Sequence, residues 1–273
     1  MKRTLIAIVA GLIIAPALAK DVDRTVDASP NGHIDISNIA GSVTVSGWSR
    51  NTVEVTGTLD RNVKELIVER DGDTVTIKVK VPRNSGRGID SRLHINVPQN
   101  SSLDIGTVIA DIDVTEVGGE QELHTVSGDV NVEYTGADMQ VESVSGDIEV
   151  IGDGVDGELE VSTVSGNVTL IRVSGRVSAD SVSGDIVFRA ALGEGGKLSI
   201  ETVTGDVDVD FIGAVSARFE VDTFNGRIRN CFGPKAERTS KYAPGWELKF
   251  IEGEGSGRVE ISTVNGDVNI CRK

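Results

Sequence analysis

Thr125-Val126-Ser127-Gly128-Asp129-Val130 returns almost unchanged at residues 143–148, 163–168, 181–186, 202–207 and 263–268, with a looser copy at 223–228. Tandem self-similarity at a period of about twenty residues sets an architecture before any single motif does. The copies are rich in valine and glycine and alternate apolar with polar residues, which is the pattern of short strands and tight bends.

Taking the glycine of each copy as origin gives a common ruler. It applies at Gly41, Ala110, Gly128, Gly146, Gly166, Gly184, Gly205, Gly226 and Gly266. Positions −7, −5, −2, +2 and +4 from each origin are apolar throughout, except for Gln121 and Asn230. Side chains alternate between the two faces of a strand. Positions −7 and −5 share one parity, and −2, 0, +2 and +4 share the other. Each unit therefore reads as a strand, a corner near −4 or −3, and a second strand bent at its glycine. On this reading Val126 and Val130 face the core, Gly128 lies on the inward parity, and Ser127 and Asp129 look outward.

From Ala110 onward the origins are spaced 18, 18, 20, 18, 21, 21 and 40 residues apart. That predicts an all-β fold: a parallel β-solenoid, β-helix-like, of 18–21-residue coils. One coil cannot bury its inner face alone, so stacking supplies the core. Eight coils at ~4.8 Å would make a rod of roughly 40 Å.

Two insertions interrupt the repeat. Between Gly41 and Ala110, strands are marked by Val53 and Val55, by Leu66 and Val68, by Val75, Ile77, Val79 and Val81, and by Leu93, Ile95 and Val97, with Asp71-Gly72 as a hairpin turn. This block is expected to form a small antiparallel sheet capping the first end. At about 231–258, Pro234 and Pro244-Gly245 mark loops, and 246–251 with 258–262 read as a hairpin. The domain reading is residues 20–100 as an N-terminal β region (the first unit plus capping strands) and residues 101–273 as the repeats with a C-terminal hairpin insertion.

Residues 1–19 read as a secretory signal peptide. Lys2 and Arg3 precede an apolar run over 5–14, and Ala17-Leu18-Ala19 is a small-residue cleavage site. The run is too short for a membrane span of about 20 residues. The expected mature protein is periplasmic or secreted, with no membrane span. The formal charge of −15 disfavours nucleic acid and anionic lipid as partners. It suits cations or basic peptides, although solubility alone also accounts for it.

The Thr-Val-Ser-Gly-Asp repeats, the early Gly41-Ser42-Val43-Thr44-Val45-Ser46-Gly47-Trp48 and the stretch His94-Ile95-Asn96-Val97-Pro98 resemble a widespread bacterial family of β-strand-repeat proteins of unknown function, called adhesins by analogy. The resemblance implies a fold and a non-catalytic, adhesin-like role. It implies no catalytic residues.

The outward positions form candidate ladders: Ser127, Ser145, Ser165, Ser183 and Thr204 at −1, and Asp129, Asp147, Asp185, Asp206 and Asp267 at +1. Adjacent unit charges at ~4.8 Å repel by about 0.9 kcal/mol in water. Calcium could offset this through oxygen ligands. The simpler reading gives each carboxylate a backbone partner at the bend and no cofactor at all. Cys231 and Cys271 both stand at +5, so in adjacent coils their Cα atoms would lie ~4.8 Å apart, within disulfide range. The bond would tie down a C-terminal coil whose strand edge is otherwise free. His33, His94 and His124 lack metal-ligand spacing.

The function expected is a non-catalytic cell-envelope scaffold that presents polar ladders to an unknown envelope protein or glycan. An envelope-stress or signalling accessory that senses cationic peptides is one alternative. A polysaccharide-active β-helix enzyme is another. Against the enzyme stand only two tryptophans, Trp48 and Trp246, and two tyrosines, Tyr134 and Tyr242.

Overall fold

The computed structural model describes residues 19–83, 88–240 and 244–273. The leader expected over residues 1–19 falls, apart from Ala19, outside the described residues. The described chain is all-β, mostly in parallel pairing, and not closed into a barrel. No helix among the described residues is long and apolar enough to cross a membrane.

Equivalent residues of successive units pair in register. Leu123 lies opposite Val141, Val161 opposite Ala179, and Ala179 opposite Ile200. The second strands pair in the same way, with Val130 opposite Ile148 and Val168 opposite Ile186. Every unit thus contributes one rung to each of two strand stacks, and the side chains between the stacks form one continuous core. Burying each Val, Ile or Leu there contributes ~1.5–3 kcal/mol.

Which residues fill the core corrects the sequence reading at one row. Val126 is 49% exposed, whereas Thr125 beside it is 4% exposed. The same inversion holds at Val108, Val144, Val164, Val182, Val203, Phe224 and Val264, all exposed. Their neighbours at −3 are all buried: Thr107, Ser143, Thr163, Ser181, Thr202, Thr223 and Thr263. The first strand keeps its alternation through −7, −5 and −3, and alternation then sends −2 outward. The corner spans −2 to +1, not −4 to −3, and the glycine lies on it and not on the inward parity. Position −2 is apolar yet exposed, because backbone parity and not apolarity decides the side.

The glycine itself is required by the stacking. Gly166 has φ +152°, and a Cβ there would stand 2.0 Å from the carbonyl oxygen of Gly146 one rung below. Gly146, Gly184 and Gly205 meet the preceding rung in the same way.

Both ends are laid down out of chain order. At the N-terminal end, the strand His33–Trp48 sits inside, paired in parallel with Ser102–Thr115 on one side. Thr74–Lys80 and Ser91–Pro98 pair in parallel with it on the other side and together complete a further rung. The four expected strands of this block are therefore present, and Asp71-Gly72 turns between two of them. Two of the four extend the parallel stacks, and only Glu65–Asp71 and Thr52–Leu59 add antiparallel edges. Lys20–Asp27, not foreseen, pairs on the outer edge of Thr52–Leu59.

At the C-terminal end, Gly257–Asn265 inserts between Lys197–Thr204 and Ala217–Asn225. Trp246–Glu252 runs antiparallel on the far side of Ala217–Asn225. The expected hairpin of 246–251 with 258–262 does not pair with itself, because both arms flank the same strand. The last unit is internal and its strands have no free edge, contrary to the expectation. Its insertion places a rung made late in the chain between two made earlier. Phe188, Phe211, Phe219, Phe232 and Phe250 fill this end in ring contacts, with Phe219 and Phe250 stacked at 4.4 Å. Their large apolar area closes a core that would otherwise meet water.

Candidate functional site

From the Gly128 unit onward the corner of each rung presents the same groups in the same order: an exposed Val at −2 (Phe224 in the Gly226 unit), Ser, Thr or Asn at −1, and mostly Asp at +1. The candidate ladder residues are thus brought together along one edge of the molecule. Ser127 is half-buried, while Ser145, Ser165, Ser183 and Thr204 are exposed. Asp129, Asp147, Asp185, Asp206 and Asp267 are also exposed.

The aspartates share a structural task. Asp111 Oδ1 accepts the backbone N–H of Asp129 at 3.0 Å, and Asp129 Oδ1 accepts that of Asp147 at 2.9 Å. The chain of bonds continues through Asn167, Asp185, Asp206 and Asp267 and ends on the N–H of Arg227. The bonded residues are 18, 20 or 21 apart in sequence along the regular rungs. At the inserted unit they are 61 and 40 apart. One side-chain oxygen per linked rung, a carboxylate's everywhere but at Asn167, is therefore committed to the backbone, and each bond to a carboxylate offsets repulsion along the row.

Beside the corner runs a groove of about 660 Å³. Val126, Val144, Val164, Val182 and Val203 form one wall. The opposite wall is position −4, with His124, Glu142, Ser162, Asp180 and Glu201. Between them lies the −3 row. Thr107 Oγ1 donates to the Ala110 carbonyl at 3.1 Å, and Thr223 Oγ1 donates to that of Gly266 at 3.0 Å. The buried hydroxyls of Ser143, Thr163, Ser181 and Thr202 have no partner among the described residues.

On the −4 wall His124 Nδ1 stands 3.3 Å from Glu142. Asp180 and Glu201 occupy adjacent rungs. Burial first, then the charge of Glu201, pushes the Asp180 carboxyl above its ordinary value, against a weaker pull from Ser178. The sequence reading missed this wall and the hydroxyl row. The signal was present, since −3 is Thr or Ser in every unit from Ala110 onward. Core positions so consistently hydroxylic mark a fixed local geometry.

The remaining candidates are dispersed. His33 Nδ1 contacts Ser102 Oγ at 3.0 Å, far in sequence from His94 and His124. Among the described residues no group of three or more His, Cys, Asp or Glu is placed to hold a metal ion. Cys231 and Cys271 lie at disulfide distance, with sulfurs 1.98 Å and Cα atoms 4.8 Å apart. They neighbour one another because the last unit is inserted next to the Gly226 unit.

A family model described as Toastrack DUF4097 matches residues 31–271. The chain belongs to this family. Among solved structures, this Toastrack chain is similar to a candidate adhesin from Bacteroides fragilis NCTC 9343, at 13% identity and a TM-score of 0.51, covering 93% of this chain and 97% of that one. It is also similar to a candidate adhesin from Parabacteroides distasonis ATCC 8503, at 14% identity and a TM-score of 0.42, covering 92% and 97%. The first of these likenesses concerns the fold alone. No curated protein matches the chain.

Proposed function

We propose that this Toastrack protein is a non-catalytic, adhesin-like binding scaffold that works outside the cytoplasm. The observation that carries the reading is the repeated corner, where one exposed valine per rung stands beside a hydroxyl or amide and a carboxylate. A partner that spans several rungs meets the same contact several times, and linked weak contacts add to a strong one. The adhesin name of the Bacteroides fragilis neighbour supports the reading. The cysteine pair at bonding distance supports an oxidising compartment.

The aspartate row has its inner oxygens engaged by backbone, so the valine row with its −1 neighbours is the better candidate surface. Periplasmic or secreted placement and an envelope protein or glycan as partner remain parts of the proposal, and calcium is not required by it.

The test is binding of labelled mature protein to intact envelopes, alongside a turnover screen on envelope polysaccharides. Saturable binding that is lost when Val126, Val144 and Val164 are changed to Ser, without glycan turnover, is the expected result. Glycan cleavage by the purified chain would replace this reading with the enzymatic one.

A further inference from the structure

Eight of the twelve large apolar side chains exposed among the described residues stand at the single position −2. Scattered exposed valines need no explanation, but a contiguous row does. The row runs from Val126 to Val264 over six rungs, roughly 24 Å at ~4.8 Å per step. A helix of about 16 residues, or a shorter extended segment, would cover that length.

Charge decides what can lie there. Glu142, Asp180 and Glu201 border the groove on one side. Asp129, Asp147 and Asp185 follow the corner on the other. Asp180 and Glu201 have no cationic partner among the described residues, and Glu142 has only His124. A second copy docked row to row would bring acidic flanks against acidic flanks, and an anionic membrane would meet the same repulsion. A segment with an apolar stripe between basic side chains meets neither obstacle.

We infer that the groove receives a cationic amphipathic polypeptide segment lying along the stack, with its apolar side chains on the valine row and its Lys or Arg groups against Glu142, Asp180 and Glu201. The inference rests on the scaffold reading above and gives that scaffold's partner a chemistry. Apolar contact would supply most of the affinity, and the carboxylates would set polarity and speed of encounter.

The test uses the full mature chain and a synthetic amphipathic Leu/Lys peptide of about 18 residues. Comparison probes are the same peptide with Glu for Lys, one of equal composition with its stripe scrambled, and phosphatidylcholine vesicles with and without phosphatidylglycerol. The Leu/Lys peptide is expected to bind saturably, more weakly as salt rises. Asp180→Asn with Glu201→Gln, and separately Val164→Ser with Val182→Ser, are each expected to weaken it about tenfold or more, a loss of about 1.4 kcal/mol. All four positions lie on the groove walls, and cooperative melting at or above the parent's temperature shows that the fold of each variant is kept. Equal binding of the Glu peptide, equal binding of the scrambled peptide, insensitivity to either pair of substitutions, or vesicle binding in place of peptide binding overturns the inference. Envelope binding that persists while the peptide fails to bind would sink this inference and leave the scaffold reading intact.

Discussion

Asp129 Oδ1 accepts the backbone N–H of Asp147 at 2.9 Å, joining two rungs at a point where the strand pairing is broken by the corner. The bond needs an acceptor and not a charge, as Asn167 shows by accepting the N–H of Asp185 at 3.0 Å in the same row. Asp147→Asn is therefore expected to fold with stability close to the parent. Asp147→Ala leaves the N–H of Asn167 without its acceptor and should cost about 1 kcal/mol. Urea unfolding of the pair checks this, and equal stability of Ala and Asn variants would mean the ladder contributes nothing.

The corner glycine makes a steeper prediction. Gly166→Ala puts a methyl 2.0 Å from the Gly146 carbonyl oxygen at φ +152°, so the rungs must part. A cost of about 3 kcal/mol or more is expected, or failure to fold. Gly106→Ala is the control, since a Cβ there meets nothing within 4 Å and its φ is outside the left-handed region. Thermal melts of both variants should differ widely, and similar melts would contradict the stacked geometry.

The Cys231–Cys271 pair links residues 40 apart. Its removal is expected to cost about 2–4 kcal/mol. Because it joins the inserted unit to the Gly226 unit, the loss should fall first on the C-terminal rungs. Non-reducing peptide mapping of the purified native protein, followed by hydrogen exchange on Cys231→Ser with Cys271→Ser, is the measurement. Two free thiols in the native protein would refute the pairing.

Asp180 gives the fold a pH dependence at the groove. Its carboxyl is raised above 3.8 by burial and by Glu201. The folded state therefore binds this proton more readily than the unfolded chain. The carboxyl imposes no penalty below its unfolded value and destabilises the fold as pH rises through the folded one. Asp180→Asn should stabilise the fold at neutral pH, by less than about 1 kcal/mol for a part-exposed group, and so raise its melting temperature, with the gain vanishing in acid. A gain that persists at low pH would assign the effect to something other than ionisation.

Much of this fold was legible from one repeated hexapeptide. The period, the parallel register, the four strands between Gly41 and Ala110 and the proximity of Cys231 to Cys271 all follow from spacing. Two things did not. Chain order was one: a rung inserted between earlier rungs leaves the same local pattern as one added at the end, so Val259 and Ile261 looked terminal. The valine row was the other. Val126 and Val130 are equally apolar, and only the backbone turn between them separates inside from outside. Thr125, polar yet buried, carried the contrary signal. Its hydroxyl fits inside the corner, so hydrophobicity alone read the row backwards and hid the groove until the structure placed it.

That inversion is the most direct point of attack. The two cysteines of the chain lie at disulfide distance, which leaves no thiol background once the bond is made. Val164→Cys and Thr163→Cys should be made separately and exposed to a charged thiol reagent under native conditions. The expected result is rapid labelling of the cysteine at 164 and protection of the one at 163 until the chain unfolds. Protection at 164 with rapid labelling at 163 would put the valines back in the core and contradict the account.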